Sequence, residues 1–212
     1  RGLAKRLSIT NNEIFIGSRD EKRGKEIAQE LKDELINKYP NININGGDNL
    51  KMARLAEIVI IVVPYSAHKT TLEQIKDELK EKIVIDAVVP MEFQKGPRSI
   101  EVAEGSATEE AAAILIDSTV IGAFHNLSAD TLLNLDKTVQ GDVLITGNNK
   151  DAKKIVGELS EESKKLLRSG TKNKIKNIDK NLDIKPTNLF PLNADVQEIN
   201  DKCLEDISQS SG

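Results

Sequence analysis

The chain has 212 residues, a formal net charge of −4 and 38% hydrophobic residues, which suffices for one sizeable core. No basic stripe dominates and aromatics are only 3%, which argues against nucleic acid as a partner and against base-stacking platforms. A lone cysteine, Cys203, excludes an internal disulfide and suits a reducing, cytoplasmic setting, and no apolar run reaches the ~18 residues of a membrane span.

In chain order, "RGLAKRLS" reads as a helix over Arg1–Leu7, of the kind that follows a phosphate-binding glycine loop. Gly2 is then the last glycine of such a loop, where helix and strand pack closely. The strand and loop that should precede it are not in the sequence. The natural protein is therefore expected to begin roughly 20 residues earlier, on a central strand of the sheet.

Ile14–Ile16 reads as a buried strand, ending in "GSRDEKR". In a doubly wound sheet, NAD-specific proteins place an acid at the end of this strand for the ribose 2′-hydroxyl. Here Ser18 offers a hydroxyl and Arg19 a forked, permanent cation suited to a 2′-phosphate. Lys22 and Arg23 follow one turn on, at the positive end of a helix over Arg23–Lys38. The same charges also suit a merely solvated helix start.

Short apolar runs then alternate with amphipathic segments. Strands are expected at Ile42–Ile44, Ile58–Val63, Ile83–Val89, Val120–Phe124 and Val143–Ile145. Helices are expected at Leu50–Ala56, Ala67–Lys80, Thr108–Ile116, Ala129–Leu135 and Asp151–Leu167. Such alternation indicates βαβ units and a mostly parallel, Rossmann-type sheet, although a generic α/β domain without cofactor has the same periodicity.

Val62, Val63 and Pro64 end one strand, and Val88, Val89 and Pro90 the next. Both exits are either an apolar wall at the ligand end of the sheet or simple strand terminators. His68 reads as a surface or capping residue, and His125 follows a strand, placed to look into a cleft. "EGSATEEAA" carries an N-cap at Ser106 or Thr108, with free backbone N–H groups that could also hold an anion. No metal-ligand spacing and no nucleophile elbow is present. From Ser169 onward the periodicity is weak, and a loose tail with a short helix near Val196–Ile207 is expected. The division expected is a dinucleotide-binding domain over 1–156 and a small helical and tail segment over 157–212.

Taken together, "GSRDEK", "VIDAVVP", "GSATEEAA", "FHNLSADTLLNLD" and "DVLITGNNKDAKKIV" resemble the F420-dependent NADP oxidoreductases, over roughly Arg1 to Val156. The resemblance implies binding of NADP(H) and coenzyme F420, stacking of nicotinamide on deazaflavin, and a homodimer built with a C-terminal helical part. It assigns Ser18, Arg19 and Arg23, with Lys22 beside them, to the 2′-phosphate, and Val63 and Pro64 to the nicotinamide half. His125 and Leu127 flank hydride exchange, and Val89, Pro90 and Ser106 fall on the deazaflavin side. The chain departs from the family in lacking the Gly-Gly-Thr-Gly loop and the Gly-Pro-Leu…Thr-Pro-Leu-Leu stretch after Gly157. His68 also stands four residues after Pro64, where relatives have three, and so takes no role from them. Another NADP-dependent reductase on the same scaffold, or a truncated nucleotide sensor, are the rival readings.

Overall fold

The computed structural model describes residues 1–168, apart from 11, 94, 95, 137, 138, 140 and 141. The expectations for the tail, including the helix near Val196–Ile207, lie outside the described residues.

A short helix α1 (Gly2–Ser8) leads into β1 (Glu13–Ser18) and α2 (Glu21–Leu35). β2 (Asn43–Asp48), α3 (Asn49–Leu55) and β3 (Ile58–Ile61) follow. Then come α4 (Tyr65–Ile75), a 3-10 turn over Lys76–Leu79, and β4 (Ile83–Asp86). A two-stranded antiparallel arm, β5 (Met91–Phe93) and β6 (Pro97–Ser99), precedes α5 (Ala107–Ile114) and β7 (Thr119–Gly122). The described part ends with α6 (Ala129–Leu133) and α7 (Lys150–Arg168).

The sheet is parallel, as the alternation requires, and forms two ladders, β1–β2 and β3–β4–β7. Among the described residues the two are not joined by strand pairing. The division lies between the strands that flank the central place of the 3-2-1-4-5-6 order. Helix α1 bridges it: Leu3 packs with the cluster under β4–β7, and Ala4 with the cluster under β1–β2. Arg1 and Lys5 pair with Glu30 and Glu34 on α2, tying α1 to the first ladder.

Strand β4 reads apolar throughout because both its faces are covered. Val84 packs with Leu72, Ile75 and Leu79 on one side, with Ala107, Ala111 and Leu115 of the α5 region beside them. Ile85 packs with Ile121, Ala152 and Val156 on the other. Helices on both faces make the doubly wound architecture that the sequence implies.

One expected strand changes. The strand expected at Val143–Ile145 reduces to a single antiparallel bridge between Gly122 and Thr146. The chain turns away at Gly147, whose φ of 143° suits only glycine. Helix α7 joins the core here: Val156 is fully buried and Leu159 packs with the same cluster. The β5–β6 arm had no periodic signal: Pro97 begins an edge strand that is exposed throughout.

Glycine sets the position of α2. A Cβ on Gly24 would stand 2.2 Å from the carbonyl oxygen of Gly47, and one on Gly46 would stand 2.1 Å from that of Gly24. Helix and strand therefore touch backbone to backbone, which holds the start of α2 against the carboxyl end of β2. Gly24→Ala should lower stability by roughly 1–3 kcal/mol, since no flexible side chain can yield. Urea denaturation checks this, and an unchanged midpoint would show that α2 shifts freely on the sheet.

Candidate active site

Parallel pairing brings the carboxyl ends of β3, β4 and β7 to one edge, with Ile61, Asp86 and Gly122 in register. The backbone leaves that edge in order: Ala87 N–H donates to Ile61 O at 3.1 Å, and Ala123 N–H donates to Asp86 O at 3.1 Å. Ligands of open α/β sheets bind outside these ends.

At β1, Ser18 Oγ accepts the Asp20 N–H at 3.3 Å, so its own hydroxyl proton is left to donate. Asp20 caps α2, accepting the Arg23 N–H at 3.1 Å. Its carboxylate is thus committed to the helix start. Arg19 and Arg23 are exposed, and among the described residues neither side chain forms an ion pair. Lys22 is also exposed and lies 3.8 Å from Glu26 in an i,i+4 pair worth little.

The two Val-Val-Pro exits each turn one valine in and one out. Val63 packs against the core beside α4, and its neighbour Val62 is 61% exposed. Val88 is buried and Val89 is 41% exposed. Pro64 is exposed and is the residue from which α4 starts, its carbonyl accepting the Ala67 N–H at 2.8 Å. Pro90 is half-buried, and its carbonyl accepts the Ile100 N–H at the base of the β5–β6 arm.

Between these exits lies a cluster that the sequence reading did not assign. His68, expected at the surface, is fully buried. Its Nε2 is 3.2 Å from Asp86 Oδ1 and its Nδ1 is 2.8 Å from Glu110 Oε2. Thr108 Oγ1 donates to Asp86 Oδ2 at 3.2 Å, and the Val88 N–H approaches Asp86 Oδ1 at 3.4 Å. Gly122 makes room for Thr108, whose Oγ1 would lie 2.8 Å from a Cβ there. Tyr65 stacks on the ring at a centroid distance of 5.9 Å. Burial disfavours a charged imidazole, but the bonds to Asp86 and Glu110 and their negative charge outweigh it. The His68 pKa is raised above the ordinary 6.5.

Beyond β7 the chain enters a strained turn. Phe124 is buried with φ at +66°, a region that a bulky side chain rarely adopts. Leu127 N–H donates to Phe124 O at 3.1 Å, closing the turn around His125. Asn126 fixes it further, donating to Asp142 O at 2.7 Å. Leu127 packs against the Ile85–Ile121 cluster, and His125 is half-buried. Helix α6 behind this turn is held by the buried Arg6, whose guanidinium donates to the carbonyls of Thr131, Leu132 and Asn134 at 2.7–2.9 Å. Among the described residues no group of three or more His, Cys, Asp or Glu could hold a metal.

A family profile described as "NADP oxidoreductase coenzyme F420-dependent" matches residues 1–90. An F420-dependent NADP reductase of Methanothermobacter marburgensis is 37% identical over 166 residues, covering 76% of this chain and 73% of that protein. The chain belongs to the F420-dependent NADP reductase family. A second member of the family, from Methanocaldococcus jannaschii, is 35% identical over 164 residues, with 76% and 73% covered. The crystal structure of a putative F420-dependent NADP-reductase from Arthrobacter sp. FB24 superposes with a TM-score of 0.61 at 20% identity, covering 77% of each chain. It shows the shared fold.

Within this F420-dependent NADP reductase fold, the expected residues fall into separate places. Ser18, Arg19, Lys22 and Arg23 gather at the end of β1 and the start of α2. Val63, Pro64, Val89 and Pro90 stand at the two strand exits, though the open apolar side chains are Val62 and Val89. Gly2 lies against α6: a Cβ there would meet Leu132 Cβ at 2.5 Å. Ser106 is a cap: its Oγ accepts the Glu109 N–H at 3.1 Å and donates to Glu109 Oε2 at 2.9 Å. Its hydroxyl proton and one acceptor position are thus engaged within α5. The acid in "IVID" was the readable signal for the missed cluster, because a carboxylate inside a buried strand requires a partner.

The raised His68 pKa has a defined consequence for stability. Protons bind the folded ring more tightly than the unfolded one. The resulting stabilisation is full below about pH 6.5 and is lost as pH rises through the folded value, which lies higher. Unfolding free energy should therefore fall in the wild type as pH rises above about 6.5. In His68→Gln that particular fall should vanish. Parallel pH dependence in the two proteins, measured by urea denaturation, would contradict the cationic cluster.

Proposed function

We propose that the chain binds NADP(H) at the carboxyl ends of its parallel strands and exchanges a hydride between it and coenzyme F420. The observation that carries this is the end of β1. There, Arg19 and Arg23 have no carboxylate partner among the described residues, and Ser18 stands where an NAD-binding protein needs an acid. The family membership supports the deazaflavin as the second reactant over another small acceptor or a non-catalytic role.

In the balanced reaction, NADPH, F420 and one proton give NADP+ and reduced F420. The two cofactors carry the hydride chemistry, and the protein supplies orientation and a dry surface. Ser18 and Arg19 hold the 2′-phosphate, with Arg23 adding charge from the first turn of α2. Val62 and Val89 offer an apolar surface at the strand exits for the stacked rings. The turn that carries His125 and Leu127 flanks them, with Leu127 as an apolar buttress and His125 as a positioning contact. Reacting ring carbons must be held about 3–3.5 Å apart, and that requirement explains a site built from anchored backbone turns. Nucleic acid and membrane lipid have no part in this reading, and among the described residues no helix is long and apolar enough to cross a membrane. The reading extends to a cytoplasmic homodimer, on the strength of the resemblance, and sedimentation equilibrium tests the dimer.

Arg19→Ala removes a charge-assisted phosphate contact worth about 1.5–3 kcal/mol. NADPH should bind roughly one to two orders of magnitude more weakly, and NADH should be almost unaffected. Equal losses for both nucleotides would remove the 2′-phosphate assignment. His125→Ala should slow hydride transfer by about 10- to 100-fold in single-turnover experiments while leaving NADPH affinity intact. A wild-type rate in that variant would reduce the segment to a strand end.

A further inference from the structure

Asp86 ends an otherwise apolar strand and is as buried as the residues before it. A carboxylate so placed needs partners, and it finds them on two helices that begin at the ligand edge of the sheet. His68 lies in the first turn of α4, directly after the Val62–Pro64 exit. Asp86 lies two residues before Val88, whose N–H approaches the same carboxylate oxygen as the ring. Thr108 and Glu110 lie in the first turn of α5. One imidazole therefore joins the exits of β3 and β4 and the start of α5. No step of the hydride exchange uses it.

We propose that His68 is a positioning residue for the nicotinamide half of the cofactor: as a cation bridging Asp86 and Glu110 it fixes the two Val-Val-Pro exits relative to each other, and loss of its proton loosens that wall while leaving the 2′-phosphate clamp at β1 intact. The proposal rests on the NADP reading above. It does not depend on F420 being the acceptor.

The physical basis is the donor count. The imidazolium has an N–H at both nitrogens and a carboxylate opposite each. The neutral ring has one N–H, so one carboxylate then faces a lone pair, and the buried Asp86 and half-buried Glu110 lose the cation between them. Asp86 from β4 and Glu110 from α5 are the charged groups that act on the ring, and Tyr65 stacks on it from its own helix. Thr108 bonds Asp86 from α5 whatever the protonation state of the ring. Deprotonation therefore weakens the link from α4 to both neighbours and leaves the α5–β4 link in place.

The test compares two ligands that share the 2′-phosphate. 2′,5′-ADP reports the clamp alone, and NADPH reports clamp and nicotinamide wall together. Titration of the phosphate itself cancels in the ratio of their affinities. That ratio is measured on the full chain from about pH 6.5 to about pH 9, for wild type, His68→Gln and Glu110→Gln. In the wild type, the preference for NADPH should fall about two- to tenfold as pH rises, the worth of one lost hydrogen bond. In His68→Gln it should be low and flat. In Glu110→Gln the fall should move to lower pH, because one of the groups that hold the proton is gone. A flat ratio in the wild type, a normal ratio in His68→Gln, or an unmoved midpoint in Glu110→Gln would each overturn the proposal. If His68→Gln does not fold, the Glu110→Gln midpoint decides. F420 reduction is assayed separately. The expected ratios without F420 reduction would sink the proposed reaction and leave His68 its role. F420 reduction with a flat ratio would do the reverse, and failure to bind either nucleotide would overturn both.

Discussion

A carboxylate buried at the end of a central strand is the constraint around which the ligand edge of this molecule is organised. Asp86 is set there by the register of β4 with β3 and β7, and that register is fixed by the apolar side chains that alternate across both faces. Leaving the charge unpaired would cost several kcal/mol, comparable to the whole stability of a domain of this size. The folded chain meets that requirement with His68, Thr108 and the Val88 N–H. In doing so it fixes where α4 and α5 begin, and with them both strand exits.

The end of β1 is set by a different kind of contact. Backbone touches backbone where Gly24 meets Gly46 and Gly47, and this close approach places Arg19 and Arg23 beyond the end of β1. The proposed phosphate clamp thus depends on packing without side chains, and the proposed nicotinamide wall on a buried charge cluster. The two regions respond to different perturbations: bulk at the glycine contact for one, and protonation for the other. Helix α1 ties α2 to α6, the helix behind the His125 turn, through its salt bridges to α2 and the Arg6 contacts with the carbonyls of α6.

Periodicity in the sequence was enough for the parallel layers and for most helices, because strands covered on both faces leave unbroken apolar runs. "GSRDEKR" announced the end of β1, since its residue types are tied to a local turn and a helix start. Longer-range consequences were hidden. His68 is polar and follows a proline-led helix start, so it reads as exposed; only the fold brings Asp86 and Glu110 to its two nitrogens. Which valine of each Val-Val-Pro pair faces outward depends on the pleat at the strand end, and the structure selects Val62 and Val89. Ser106 was legible as a helix cap, because the Glu109 that completes the pairing stands three residues on. The β5–β6 arm packs too little to leave an apolar pattern.

The central claim is that His68 is a cation held between two carboxylates in the folded protein. Nitrogen chemical shifts of its ring measure this directly, and with only two histidines in the chain the spectrum of His68→Gln assigns them. At about pH 6.5 an unperturbed histidine is half protonated. The account predicts a predominantly protonated ring there, with both nitrogens in the imidazolium range and both N–H protons slow to exchange. A ring half protonated or less at that pH, with one nitrogen carrying a free lone pair, would contradict it.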